Sequence, residues 1–200
     1  MVIFHLLTKG KHAFGPERRR LDNLLDGNPV GLTNLMNPVA KDLISWMLEH
    51  KPDDRPYAHE ALKHPYLMPP DQQFELLKCV GNEPEIKDTK TASDVAKKIN
   101  ADPLLPKSGW ISHIHSDVLY FGCGKYPYPN RWSQCLRFIR NVSVHWNDKP
   151  KPATVQNVVV EPREYFLKVF PTLPTAVHQV LRNEPDWRER ETLKKFFQAG

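Results

Sequence analysis

Arg140, Asn141 and His145 bring a fixed cation, an amide and a titratable imidazole into one short stretch of the chain. Arginine grips phosphate oxygens in a charge-assisted fork, asparagine adds a hydrogen bond, and histidine moves a proton near neutral pH. Together they form a kit for work on a phosphodiester. The run before them, Asn130-Arg131-Trp132-Ser133-Gln134-Cys135-Leu136-Arg137-Phe138-Ile139, places Trp132, Cys135, Leu136 and Ile139 at helical spacing. That pattern predicts a helix with one face packed inward and Arg140 and Asn141 at its C-terminal end. His145 then follows after a short excursion. Two plainer readings stand beside this one: Arg140 as a cation at a helix C-terminus facing the dipole, and His145 as a surface histidine.

Arg-Asn-x-x-x-His after an apolar helix, with Trp110, Tyr126 and Tyr128 upstream, resembles the kinase-extension nuclease (KEN) family. That family includes ribonuclease L and the inositol-requiring sensor kinase/endoribonuclease of the unfolded-protein response. The likeness runs over residues 72–198. Leu77-Lys78-Cys79-Val80-Gly81-Asn82-Glu83-Pro84-Glu85-Ile86-Lys87 and Tyr165-Phe166-Leu167-Lys168-Val169-Phe170-Pro171 lean towards the ribonuclease L branch. The resemblance implies an endoribonuclease that works without a metal. A base takes the proton of a ribose 2′-hydroxyl, the oxygen attacks the adjacent phosphorus, and an acid protonates the departing 5′-oxygen, leaving a 2′,3′-cyclic phosphate.

By the same resemblance His145 is the acid or base, Arg140 the phosphate clamp, Asn141 its helper, and a loop tyrosine completes the set. Counting back from Arg140 lands on Pro127, between Tyr126 and Tyr128, and Tyr128 is favoured. An unperturbed tyrosine titrates at about 10, so it is a poor base at neutral pH unless cations lower it. Gln134 stands where the family usually carries aspartate, and keeps a hydrogen bond but no charge. Val142 and Ser143 replace basic residues of the sensor-kinase branch. Trp110 reads as a core anchor rather than a base-stacking platform.

The first third of the chain resembles the end of a protein kinase C-lobe. The motifs are Val2-Ile3-Phe4-His5-Leu6-Leu7, the helix around Leu43-Ile44-Ser45-Trp46-Met47-Leu48, then Lys51-Pro52-Asp53-Asp54-Arg55-Pro56 and Ala58-His59-Glu60-Ala61-Leu62-Lys63-His64-Pro65-Tyr66-Leu67. No Gly-rich loop, phosphate-binding lysine, catalytic aspartate or Asp-Phe-Gly site is present. No kinase activity is therefore expected of this chain alone, and ATP or ADP would bind only the kinase part it lacks. Without the rest of the lobe, residues 1–70 are expected to expose apolar surface and to be poorly soluble by themselves. The boundary falls at Met68-Pro69-Pro70-Asp71, giving a kinase remnant at 1–68 and a nuclease domain at 72–198.

Within the second domain helices are expected at 72–80, 91–99 (capped by Ser93 or Thr91), 110–120, 162–170 and 174–183, with turns or loops at 81–84, 102–109 and 121–130. Residues 154–160 are β-branched and score as strand, but the resemblance implies helix or turn there. The fold class is all-α. Nineteen prolines agree with many short elements. A net charge of +5 suits a polyanion without demanding one. Cys79, Cys123 and Cys135 lack metal spacing and read as reduced, buried thiols. His5, His12, His59 and His64 fit no metal template, so neither a metal nor a cofactor is expected. No run reaches membrane-spanning length, and the resemblance implies a cytoplasmic location or the cytosolic face of a membrane. The implied partners are RNA and a second copy or a longer relative, since the family's nuclease face becomes competent when two chains dock. A second reading is an RNA-binding or dimerising module without turnover, motivated by Gln134 and the displaced tyrosine. A third is a fragment of a longer kinase/endoribonuclease.

Overall fold

The structure is a computed structural model and describes residues 2–88, 93–124, 127–148 and 150–198. Among these the secondary structure is helical without strands, so the chain is all-α. It divides into two compact units, residues 1–67 and 68–198.

The first unit holds α1 (Val2–Leu7), α2 (Glu17–Leu25), α3 (Pro38–Met47) and α4 (Ala58–Ala61). Pro38 opens α3, and the Asn37 side chain accepts hydrogen bonds from the amides of Val39 and Ala40 at 2.9 and 3.2 Å, two donors a helix start leaves orphaned. Ala40, Leu43 and Ile44 form the buried stripe of α3. Of the motif at 58–67, α4 forms a single helical turn ahead of Pro65. Arg55 turns to the main chain, donating to the carbonyls of Glu49 and His50 at 2.7 and 3.1 Å. His64 is fully buried; its Nε2 meets Asp42 Oδ2 at 2.8 Å while Nδ1 accepts from the Tyr66 amide at 3.1 Å. This histidine ties helix to turn.

The second unit contains α5 (Pro70–Asn82), α6 (Pro84–Lys87), α7 (Asp94–Asn100), α8 (Ser116–Cys123), α9 (Trp132–Val144), α10 (Ala153–Gln156), α11 (Pro162–Val169), α12 (Leu173–Leu181) and α13 (Pro185–Arg188). Helix α9 is its axis. The expected stripe of Trp132, Cys135, Leu136 and Ile139 is buried, but so are Ser133, Gln134, Phe138 and Val142. The burial is nearly all-round because α5, α6, α7, α8 and α11 each pack on α9. The longest contact runs along α5, where Gly81 is buried against the α9 backbone. A Cβ on Gly81 would lie 2.2 Å from the Leu136 carbonyl oxygen, so only glycine permits that approach.

Several expected boundaries move, each for a visible reason. Helix α5 starts at Pro70, whose missing N–H is harmless at a first helical position, and runs through Gly81 to Asn82. Ser93 caps α7 through its hydroxyl to the Ala96 amide at 3.2 Å, while Thr91 lies outside the described residues. The single helix expected over 110–120 is broken. A 3-10 turn at Ile111–His113 precedes α8, and Ile114 and His115 are extended between them. Long-range bonds hold the break: Asn130 Oδ1 accepts from the amides of Trp110 and Ile111, and the Tyr165 hydroxyl accepts from the amide of His115. The β-branched stretch at 154–160 contributes α10 and a turn. Beyond 183 the chain adds α13 and a 3-10 turn at Lys194–Phe196, which bury Trp187, Phe196 and Phe197. There Arg190 bridges Glu83 and Glu85, and Thr192 donates to Glu83 at 2.8 Å, so the C-terminal segment clamps the α5–α6 junction.

Candidate active site

The C-terminal half of α9 carries Arg140 and Asn141, and His145 caps the helix with its amide bonded to the Asn141 carbonyl at 3.0 Å. The side chains form a relay. Arg140 Nη1 donates to Asn141 Oδ1 at 2.9 Å, and Asn141 Nδ2 donates to the Tyr128 hydroxyl at 2.6 Å. Asn141 is thereby polarised from one end and orients the phenol at the other. Both contacts are half-buried, which strengthens them relative to water.

Tyr128 is held from behind as well. Its ring meets Phe138 edge-on, centroids 5.4 Å apart, and faces the edge of Trp110 at 6.5 Å. Trp110 is fully buried, and its indole N–H donates to the Pro129 carbonyl at 3.1 Å. Trp110 therefore supports the tyrosine loop from inside the core, out of reach of a nucleotide. Tyr126, the other candidate for the tyrosine, lies outside the described residues.

Tyr128, Asn141 and His145 line one cleft of about 270 Å³, walled by Phe121, Cys123 and Val142. Arg140 does not line it and stands one hydrogen bond behind Asn141. The wall depends on Gly122, where a Cβ would fall 2.4 Å from the Phe138 ring and push α8 off α9.

His145 brings a partner that spacing alone did not single out. Its Nδ1 lies 2.6 Å from Asp148 Oδ2, with the two side chains 57% and 61% exposed. A turn closes the pair through the Asp148 amide and the His145 carbonyl at 3.2 Å. The signal available in sequence was a carboxylate three residues past the histidine, just after a helix end. In the neutral ring this contact puts the proton on Nδ1 and leaves the Nε2 lone pair open.

Gln134 does not join the relay. It is buried at 4% exposure, and its Nε2 donates to the Ile86 carbonyl at 2.9 Å, tying α9 to the short α6. The amide thus serves a helix–helix contact. Ser143 is likewise occupied, donating to the Ile139 carbonyl at 2.6 Å, and Val142 is core. Burial pushes all three thiols up, Cys79 to about 11, Cys123 less, and Cys135 well above the ordinary range. They stay protonated at neutral pH and supply no nucleophile.

With this geometry in view, comparison with known proteins points one way. The family model described as Ribonuclease 2-5A matches residues 73–197. Among curated relatives, a 2-5A-dependent ribonuclease of Mus musculus is 26% identical over 94% of this chain and 26% of its own length. Serine/threonine-protein kinase/endoribonuclease IRE1a of Arabidopsis thaliana is 30% identical over 99% of this chain and 24% of its own. An Arabidopsis thaliana protein named inactive serine/threonine-protein kinase/endoribonuclease IRE1-like is 26% identical over 98% of this chain and 38% of its own. The chain thus spans about a quarter of the length of the first two relatives.

Proposed function

The chain belongs to the ribonuclease 2-5A family, and from that membership we propose that it is an endoribonuclease module cleaving RNA by internal attack of a 2′-hydroxyl. The observation that carries this reading is the convergence of Tyr128, Asn141 and His145 on one cleft, with Arg140 behind them.

Each group has a role that follows from its contacts. With Nδ1 directed at Asp148, the open Nε2 of His145 accepts the 2′-hydroxyl proton. Asp148 holds the tautomer and ring orientation. The Tyr128 oxygen accepts from Asn141, so its own O–H points onward and can protonate the departing 5′-oxygen. Asn141 and, through it, Arg140 place positive potential where charge grows on the phosphoryl oxygens. No step in this scheme calls for a metal, and the product carries a 2′,3′-cyclic phosphate. The active form is a dimer, by itself or with a longer relative, and RNA is the substrate.

A second reading, a module that binds RNA or docks to a relative without turnover, draws support from the likeness to the protein named inactive. One experiment separates the two. A labelled stem-loop RNA is incubated in EDTA at several protein concentrations, beside His145→Ala and Asp148→Ala. The nuclease reading expects cyclic-phosphate ends, a rate rising more steeply than protein concentration, and a loss of about 10²–10⁴-fold in His145→Ala. Asp148→Ala lowers kcat with little change in KM, by less than His145→Ala does. A rate linear in protein overturns the dimer requirement, and absence of product from folded protein selects the second reading.

A further inference from the structure

Beside the catalytic cleft lies a larger one, about 450 Å³, between α8 and α10. The two share Phe121 and Gly124, so they adjoin along one wall. We propose that this second cleft is a nucleobase subsite selective for guanine, formed by Asp117, Tyr120 and Phe121. The proposal rests on reading the adjoining cleft as the site of RNA cleavage, and it names the part of the substrate that the neighbouring space takes.

Three observations carry it. First, Tyr120 lines the cleft yet is 83% exposed, while the next residue, Phe121, is half-buried. An aromatic ring left in water beside a nucleic-acid site is a stacking surface, and aromatic side chains hold single-stranded bases in this way. Second, the Phe121 ring is fixed edge-on against Trp146, centroids 5.7 Å apart, and Trp146 in turn lies under the Lys151 ammonium at 4.9 Å. The shared wall is thus braced from the far side and keeps its shape when the cleft fills. Third, Asp117 lines this space and brings a carboxylate to it. Its amide bonds to His115 Nδ1 at 3.3 Å, and among the described residues its side chain enters no hydrogen bond or ion pair.

A carboxylate repels phosphate, so this cleft does not hold the backbone of the strand. It suits a neutral group that offers N–H donors. Of the four bases, guanine alone presents two adjacent donors, N1–H and the N2 amine, spaced to meet both oxygens of one carboxylate. Adenine, cytosine and uracil each leave one oxygen without a partner, and a site built to hydrogen-bond a group discriminates against ligands that lack it. Pro152 and Val155 close the remaining walls with apolar surface, suited to the flat faces of a purine.

The test uses the full chain and binding rather than turnover. Amide NMR spectra are recorded as 5′-GMP, AMP, CMP and UMP are titrated in, with ribose 5-phosphate as the control for the phosphate alone. The expected result is that GMP shifts signals of residues 117–121 and 153–155 and binds at least tenfold tighter than the other three. Asp117→Asn keeps the fold but loses that tenfold preference, and Tyr120→Ala weakens all four nucleotides together. Equal affinity for the four nucleotides overturns the proposal, as does GMP selectivity that survives Asp117→Asn. The outcomes stay separate from those of the nuclease reading. Selective GMP binding by a chain that cleaves nothing keeps the subsite and removes the catalysis, and cleavage by a chain blind to the base does the reverse.

Discussion

The two units of this chain bury their apolar residues to very different degrees. Residues 68–198 share one continuous core, from Met68 and Phe74 through Trp110 and Phe138 to Phe197. Residues 1–67 assemble a small cluster around Phe4, Phe14, Leu35 and Ile44. Among the described residues, the large hydrophobics left exposed in the first unit include Leu6 at 71%, Leu21 and Leu25 at 66%, and Met36 at 91%. Among the described residues of the larger second unit, Tyr120, Val144 and Val160 are the ones comparably exposed. Apolar surface of that extent marks a region made to be covered. The nuclease-like unit completes its own core, whereas the kinase-like unit does not. The continuous core and the proposed site therefore lie together in residues 68–198.

The contrast can be broken most directly by separating the units. Residues 68–198 expressed alone should unfold in one cooperative thermal transition, and residues 1–67 alone should aggregate or show none. A soluble 1–67 fragment that melts cooperatively would end the comparison. A smaller effect sharpens it. Leu77 has no exposed surface, and Leu77→Ala should cost about 2–5 kcal/mol in denaturant unfolding. Leu6→Ala, at a side chain mostly in water, should stay within about 0.5 kcal/mol. Equal losses would mean that the first unit is packed more tightly than its exposure indicates.

The smallest effect concerns pH. The Arg190 guanidinium hydrogen-bonds Glu85 and holds its carboxyl below the ordinary 4.5, against an opposing push from burial. Because the folded state lowers that value, the contribution to stability is complete above the ordinary value. It is lost as pH falls through the depressed one. Unfolding midpoints measured from pH 7 down to pH 3 should fall less steeply in Arg190→Ala than in the parent chain. An unchanged slope would show that the clamp between the C-terminal segment and α6 adds nothing at the second unit's edge.

Much of the second unit could be read in advance, and the gaps have a common cause. The stripe Trp132, Cys135, Leu136 and Ile139 lies within one helix, so its spacing exposes it, and Arg140, Asn141 and His145 follow at short range. Other features depend on residues far apart in the chain. The break at Ile114 and His115 is held by Asn130 and Tyr165, and no pattern within 110–120 records either. The amide of Gln134 meets the carbonyl of Ile86, forty-eight residues away in sequence, a contact that no local pattern records. The choice of Tyr128 over its neighbour came from a displaced count, and the structure gives that residue the contact to Asn141. Asp148 was within range, but nothing in a turn of polar residues distinguishes a carboxylate that meets a ring nitrogen from one that faces water.

The approach of Gly81 to Leu136 has a mechanical consequence. With a carbonyl oxygen seated where any other residue would carry its Cβ, the two longest helices of the unit are interlocked at that point and cannot slide along one another. Helix α9 is then pinned at Leu136, with Arg140 and Asn141 beyond the pin. A load applied to α5 reaches that end as a tilt rather than a shift in register. Such a tilt would carry Arg140 and Asn141 together and would be felt at the hydrogen bond from Asn141 to Tyr128, which stands on the loop ahead of the helix.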